Sequence, residues 1–139
     1  MSFRSIWDSY PDDPAGHIGG ENVVVSTAAE TDQLVERLRS PRAGTAKVWG
    51  PDIRQDVWTG QLLHVGVHGS FAYISYTSDS VGMVSADGDP ESPEYDSPDE
   101  EFPPGSGLPV GVVAAGLKEF LVSGTRPRAI PWAAAAGEL

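Results

Sequence analysis

Eight acidic side chains fall within fifteen residues of this chain: Asp87, Asp89, Glu91, Glu94, Asp96, Asp99, Glu100 and Glu101, with no lysine or arginine among them. Clustered carboxylates can do three kinds of chemistry. Two of them in a dry, shaped site can separate their pKa values and act as acid and base. Oxygens at fixed spacing can hold calcium. An exposed run can attract a basic partner. Pro90, Pro93 and Pro98 interrupt the segment and oppose both helix and sheet pairing. The adjacent Glu100 and Glu101 therefore lack the enclosed setting that catalysis needs. The spacing also departs from the D-x-[DN]-x-[DN]-G pattern of a calcium loop. The third chemistry remains. Residues 87–107 are read as a long, exposed, proline-rich loop with Tyr95 in its middle. Its alternatives are a solvated loop without a role and a binding loop, and long irregular loops in compact domains are often functional.

Other reactive residues are sparse. The histidines are His17, His64 and His68. On a strand, His64 and His68 share a face but stand about 13 Å apart at roughly 3.3 Å per residue, too far for one zinc ion. The chain has no cysteine, which excludes disulfides, thiolate zinc sites and a cysteine nucleophile. Gly19-Gly20 lacks the Lys-Ser/Thr of a phosphate-binding loop. Nothing resembles a nucleophile elbow. The expectation is a protein that is not an enzyme, with no catalytic, cofactor-binding or metal-ligating residues. Trp58 lies among polar residues between predicted strands. It is either an exposed anchor of the kind found at interface hot spots or a loop residue folded back onto the sheet. Trp49 and Trp132 fall in predicted strands and are read as core.

Charge narrows the partners. Twenty Asp and Glu face nine Lys and Arg, a net charge of −11. Without the eight clustered acids, twelve acids face nine bases, or −3. Such a chain is repelled by nucleic acid and anionic membranes; its charge either serves solubility alone or marks a partner with a basic surface. The N-terminus has no apolar run of a signal peptide, and no stretch approaches the roughly 20 apolar residues of a membrane span. A cytoplasmic location is expected.

The elements that must position these residues follow from periodicity. With 139 residues, a single domain over 1–139 is expected. Residues 1–20 read as an irregular segment, with Ser5 to Tyr10 a candidate edge strand. Glu21 to Ser26 is a β-branched strand. Thr27-x-x-Glu30 is a capping box that opens a helix over Ala28 to Arg39, with Leu34, Val35 and Leu38 on one face. Strands follow at Thr45 to Gly50, Gln61 to His68, Phe71 to Thr77 and Val81 to Ser85, with Gly69-Ser70 as a tight hairpin turn. Pro109 starts a second helix. Its apolar face carries Val113, Leu117, Phe120 and Leu121, and Gly124 ends it. Arg126 to Trp132 reads as a final edge strand, and 133–139 as a frayed tail. The fold class is α+β: an antiparallel sheet of about five or six strands with two helices packed on one face.

The stretch from Phe102 to Trp132 resembles the closing segment of immunity protein family one of bacterial polymorphic toxin systems, whose members usually accompany deaminase-type toxins. The shared pattern is Pro109, Glu119-Phe120-Leu121, Gly124, Arg126-Pro127 and Trp132. Upstream, LLHVGVHGSFAYISYTS is similar to the family's central hairpin and VVVSTAAETDQLVERL to its first strand and helix. The first twenty residues and the very acidic loop depart from it. The resemblance implies a protein that binds a toxin domain and blocks its active site. An acidic inhibitor suits the positively charged groove that a nucleic-acid-directed toxin needs. The chain itself lacks the H-x-E and P-C-x-x-C zinc pattern of a deaminase. On this reading the partner-binding residues are the eight clustered acids, with Tyr95 or Trp58 as aromatic anchor. One rival reading is a non-catalytic binding or regulatory module of the same fold without a toxin. The other is an enzyme whose site gathers His64, His68 and Arg126.

Overall fold

A computed structural model describes residues 2–11, 15–50, 61–79, 82–97 and 100–133. Among them, six strands form one sheet: β1 (Phe3–Ser9), β2 (Gly19–Val25), β3 (Ala46–Trp49), β4 (Gln61–His68), β5 (Phe71–Ser78) and β6 (Gly82–Ser85), in the order β2-β1-β3-β4-β5-β6. Every pairing is antiparallel. Helices α1 (Ala28–Leu38) and α2 (Val110–Ser123) contact each other and pack on the same side of the sheet. The α+β class and the shared helical face are as the sequence predicts. Two short strands, β7 (Tyr95–Asp96) and β8 (Glu101–Phe102), form a separate hairpin.

Alternation in the strands sorts residues between two layers. Phe3, Trp7, Val48, Leu63, Val65, Ile74 and Tyr76 belong to the apolar core under the helices. There the Phe3 and Phe120 rings lie 6.1 Å apart, and the Arg37 guanidinium sits 4.9 Å over Trp7. The alternate residues of β4 and β5, His64, Gly66, Tyr73 and Ser75, face the other way, yet His64, Tyr73 and Ser75 are buried as well. Both strands therefore need a second cover.

The predicted capping box forms. Thr27 has extended backbone, its hydroxyl accepts from the Glu30 N–H at 3.1 Å, and the Glu30 carboxylate accepts from the Ser26 N–H at 3.1 Å. Thr31, Leu34, Val35 and Leu38 supply the buried stripe. Helix α2 starts after Pro109 and ends at Gly124, whose φ of 67° is a left-handed conformation that side chains resist.

Three expectations need correction. The first twenty residues are not irregular throughout, and β1 is no edge strand. It pairs with β2 on one side and β3 on the other. Arg4 and Asp8 hide its pattern, because only Phe3, Ser5 and Trp7 face the core. The segment Arg126 to Trp132 is not a strand. It makes one bridge, Ala86 to Trp132, through Asp87 N to Pro131 O at 2.7 Å and Ala133 N to Ser85 O at 2.9 Å. Pro127 and Pro131 have no N–H to extend a ladder. Trp49 and Trp132 are half-buried, and among the described residues the buried tryptophan is Trp7. Beyond Ala133 the expected frayed tail lies outside the described residues.

Phe120 is 1% exposed. Replacing it with alanine should cost about 3–5 kcal/mol through lost burial and a residual cavity. Urea unfolding measures this, and a loss below about 1 kcal/mol would contradict the core position of α2.

Candidate functional site

The second cover of β4 and β5 is the acidic segment itself. The expectation of a loop over 87–107 without sheet pairing is thus corrected: β7 and β8 pair inside it, Tyr95 with Phe102 and Asp96 with Glu101. The cause is a set of apolar and hydroxyl residues interleaved with the acids. The Tyr95 ring stacks on His68 at 4.8 Å and on Phe102 at 5.8 Å, and meets Tyr73 at a tilt at 5.3 Å. Gly66 makes this approach possible, since a Cβ there would lie 2.7 Å from Tyr95 Cε2. Phe102 is buried against Tyr73, with ring centroids 5.6 Å apart.

Hydrogen bonds complete the attachment. The Tyr73 hydroxyl donates to the Pro93 carbonyl at 2.7 Å. The Thr45 and Ser97 hydroxyls are bonded at 2.7 Å. Ser97 N donates to the Glu100 carbonyl at 2.9 Å, and Glu100 N donates back to Ser97 Oγ at 3.1 Å, closing the turn of the hairpin. Ser92 is buried, its hydroxyl donating to the Asp89 carbonyl at 2.6 Å and accepting from Gly107 N at 2.9 Å. Each backbone group so paired escapes the cost of burial without a partner.

The predicted site residues separate into three sets. Asp87, Glu91, Glu94, Asp96 and Glu101 are exposed, and Glu94, Asp96 and Glu101 lie together around Phe102 as an outward acidic ridge. Asp89 and Glu100 are half-buried and turned to internal work. Asp89 Oδ1 accepts from Glu91 N at 2.8 Å, and Glu100 Oε2 lies 3.3 Å from Nδ1 of the buried His64. Tyr95 is half-buried in its stack. Asp99 and Trp58 lie outside the described residues.

The enzyme reading loses its constellation. His64 and His68 share the face under the acidic hairpin, where they meet Glu100 and Tyr95. Arg126 lies 5.7 Å over the ring of Tyr76, a residue of the core on the helical side. The sheet stands between them. Among the described residues, no three His, Cys, Asp or Glu side chains are placed to hold a metal ion, and no helix is long and apolar enough to cross a membrane.

Sequence reasoning did not find Thr45, Gly66, Tyr73, Ser92 and Ser97 as the residues that hold the hairpin. Gly66 carried a signal, because a glycine inside a strand often marks close approach by another group. The serines carried none, since their partners are distant in sequence.

The fold and this surface define an α+β domain that presents a fixed ridge of carboxylates. Comparison with known families places it further. The family described as immunity protein Imm1 matches residues 19–134, and the chain belongs to that family. Its members are immunity proteins, generally non-catalytic, and membership implies a toxin-neutralising role with a cognate toxin protein as partner. No curated protein and no solved structure matched the chain in the same comparisons.

Tyr73 offers a direct probe of the hairpin's attachment. Burial, and then the nearby Tyr95, raise its phenol above the ordinary 10.0. The neutral form is the one favoured in the fold. That stabilisation is complete below the ordinary value and disappears as pH rises through the raised one. Alkaline tyrosinate titration should show one late phase that Tyr73→Phe removes, with a stability loss of about 0.5–1.5 kcal/mol from the missing bond to Pro93. Gly66→Val should displace Tyr95 and speed amide exchange at Ser97 and Glu100; unchanged exchange would contradict the packing described.

Proposed function

We propose that this chain neutralises its toxin by stoichiometric occlusion of the active site, and that the toxin is of the deaminase type with a basic cleft. The acidic segment from Asp87 to Glu101 is the contact surface. The observation that carries the reading is the anchored acidic segment, which leaves five carboxylates exposed on a hydrogen-bonded frame. A frame ordered before binding avoids the entropic cost of fixing a loop at the interface. Its negative potential steers a cationic cleft into register and speeds encounter. Family membership supplies the toxin as partner. A toxin that handles nucleic acid needs positive charge for the phosphates, and a ridge of carboxylates competes for the same groups.

Within this proposal the residues have different roles. Asp87, Glu91, Glu94, Asp96 and Glu101 meet the toxin, together with Asp99. Asp89, Glu100 and Tyr95 act from beneath by holding the ridge in shape. Trp58 is the proposed aromatic anchor. The setting is the cytoplasm of the bacterium that makes the toxin.

Co-expression with the toxic domain encoded beside the gene should give a stable complex and rescue growth. A variant with Asp87→Asn, Glu91→Gln, Glu94→Gln, Asp96→Asn and Glu101→Gln should associate about 10–100-fold more slowly at low salt, with the difference shrinking as salt rises. Stopped-flow mixing measures it. Rescue without any change in rate or affinity would retain the immunity role and remove the hairpin from the interface.

A further inference from the structure

The two edges of the sheet are finished differently. Strand β6 is short, Gly82–Ser85, and the Ala86–Trp132 bridge closes it off. Strand β2 runs over Gly19–Val25, and among the described residues β1 is its only neighbour in the sheet. We propose that this edge pairs with the same edge of a second copy of the chain, antiparallel and centred on Asn22, so that two six-stranded sheets become one. The inference is independent of the toxin-binding proposal.

Backbone direction is the first argument. Gly44 N donates to the Asp8 carbonyl and Tyr10 N to the Arg42 carbonyl, both at 2.8 Å. Asp8 and Tyr10 therefore turn their bonding groups away from β2. Bonding direction alternates along a strand, so Trp7 faces β2, where it is opposite Glu21. By the same alternation, the N–H and C=O groups of Gly20, Asn22 and Val24 point out from the sheet. Such a row is a template for another strand. The usual devices that block it are missing. The strand has no lysine or proline, and its pairing with β1 runs from Ser9↔Gly19 to Phe3↔Val25 without a bulge. Helix α1 stands back from the edge, leaving a groove of 160 Å³ lined by Val23, Val25, Leu34 and Arg37.

Self-complementarity is the second argument. A twofold axis at Asn22 sets Val24 of one copy opposite Gly20 of the other. Val24 is 40% exposed, and Ile18, one residue before the strand, is 62% exposed. Gly20 has no side chain, so Val24 can reach Ile18 of the second copy, its diagonal neighbour. The pairing covers both. On the helical face Glu21 falls opposite Val23. An axis at Glu21 would instead set like charges directly opposite each other, which is destabilising.

Charge is the third argument. Two chains of net −11 repel each other and meet most easily where charge is locally balanced. Around β2 it is balanced. Arg37 pairs with Glu21 at 2.9 Å, Arg4 bonds Asn22 at 2.9 Å, and the Glu30 carboxylate caps α1 at Ser26 N. Strands β1 and β3 lie between β2 and the two strands under the acidic segment. A twofold axis perpendicular to the sheet leaves both acidic segments on one face, outside the contact.

Sedimentation velocity of the full chain over about 5–500 µM should show a monomer–dimer equilibrium with a Kd of about 10–100 µM, the weak range of a small interface. Amide hydrogen exchange should slow with concentration at Gly20, Asn22 and Val24, and not at Glu21 and Val23, which β1 already binds. Val24→Lys and Asn22→Pro should each weaken association about tenfold or more. Met83→Lys and Val122→Lys, at exposed apolar side chains elsewhere, should not, and neither should the five acidic-segment substitutions. Thermal unfolding checks that each variant folds; the exchange pattern of the unsubstituted chain decides where one does not. A chain still monomeric at about 500 µM would overturn the inference, as would unchanged association in Val24→Lys or an equal loss in Val122→Lys. Protection of the three outward amides that appears only when toxin is added would also overturn it, by giving the edge to a toxin strand.

Discussion

Strands β4 and β5 are buried on both faces, and this need for two covers organises the molecule. One cover is apolar and regular, made by α1 and α2 over Leu63, Val65 and Ile74. The other is polar and irregular, because the opposite face offers His64, Gly66, Tyr73 and Ser75. A layer over such a face must pair its polar groups, since a buried group without a partner costs about 1–3 kcal/mol. The acidic segment meets part of that demand: the Pro93 carbonyl takes the Tyr73 hydroxyl, Ser97 pairs with Thr45, and the Glu100 carboxylate lies 3.3 Å from His64, while the buried Ser75 hydroxyl has no hydrogen-bond partner among the described residues.

That arrangement reconciles high charge with order. Eight carboxylates in fifteen residues repel one another and by themselves favour an extended, solvated chain. Aromatic stacking of Tyr95 on His68 and Phe102, and the bonds made by the serines, hold the segment against this repulsion. The acids then divide by position. Those pointing outward are available to a partner, and those pointing inward build the support. Asp89 and Glu100 are chemically like their neighbours, yet their removal should register as lost stability rather than slower association.

The chain end shows the same economy of irregular structure. Prolines prevent Arg126 to Trp132 from becoming a strand, but the loop still closes the exposed edge of β6 with one bridge. Covering an edge in this way limits pairing with other chains. It also gathers arginines at the far end of the β4–β5 hairpin from the acidic ridge.

Local chemistry made much of this readable from the sequence. Thr27 and Glu30 announced α1, Pro109 and Gly124 bounded α2, and alternation in Gln61 to Thr77 located the central hairpin. Each signal depends on residues within a few positions of each other, where backbone geometry dictates the pattern. The family, too, was legible, in the order of motifs from Pro109 to Trp132. The position of the acidic segment was not. Composition marked it as exposed and unpaired, and its charges are indeed largely exposed. Only the tertiary structure decided that it covers the sheet, because the deciding contacts join Thr45 to Ser97, Gly66 to Tyr95 and Tyr73 to Pro93. A serine or glycine has no local pattern that names a partner tens of residues away. Charge density was therefore determined by the sequence alone, while the division of those charges between a binding ridge and its internal support arose from long-range packing.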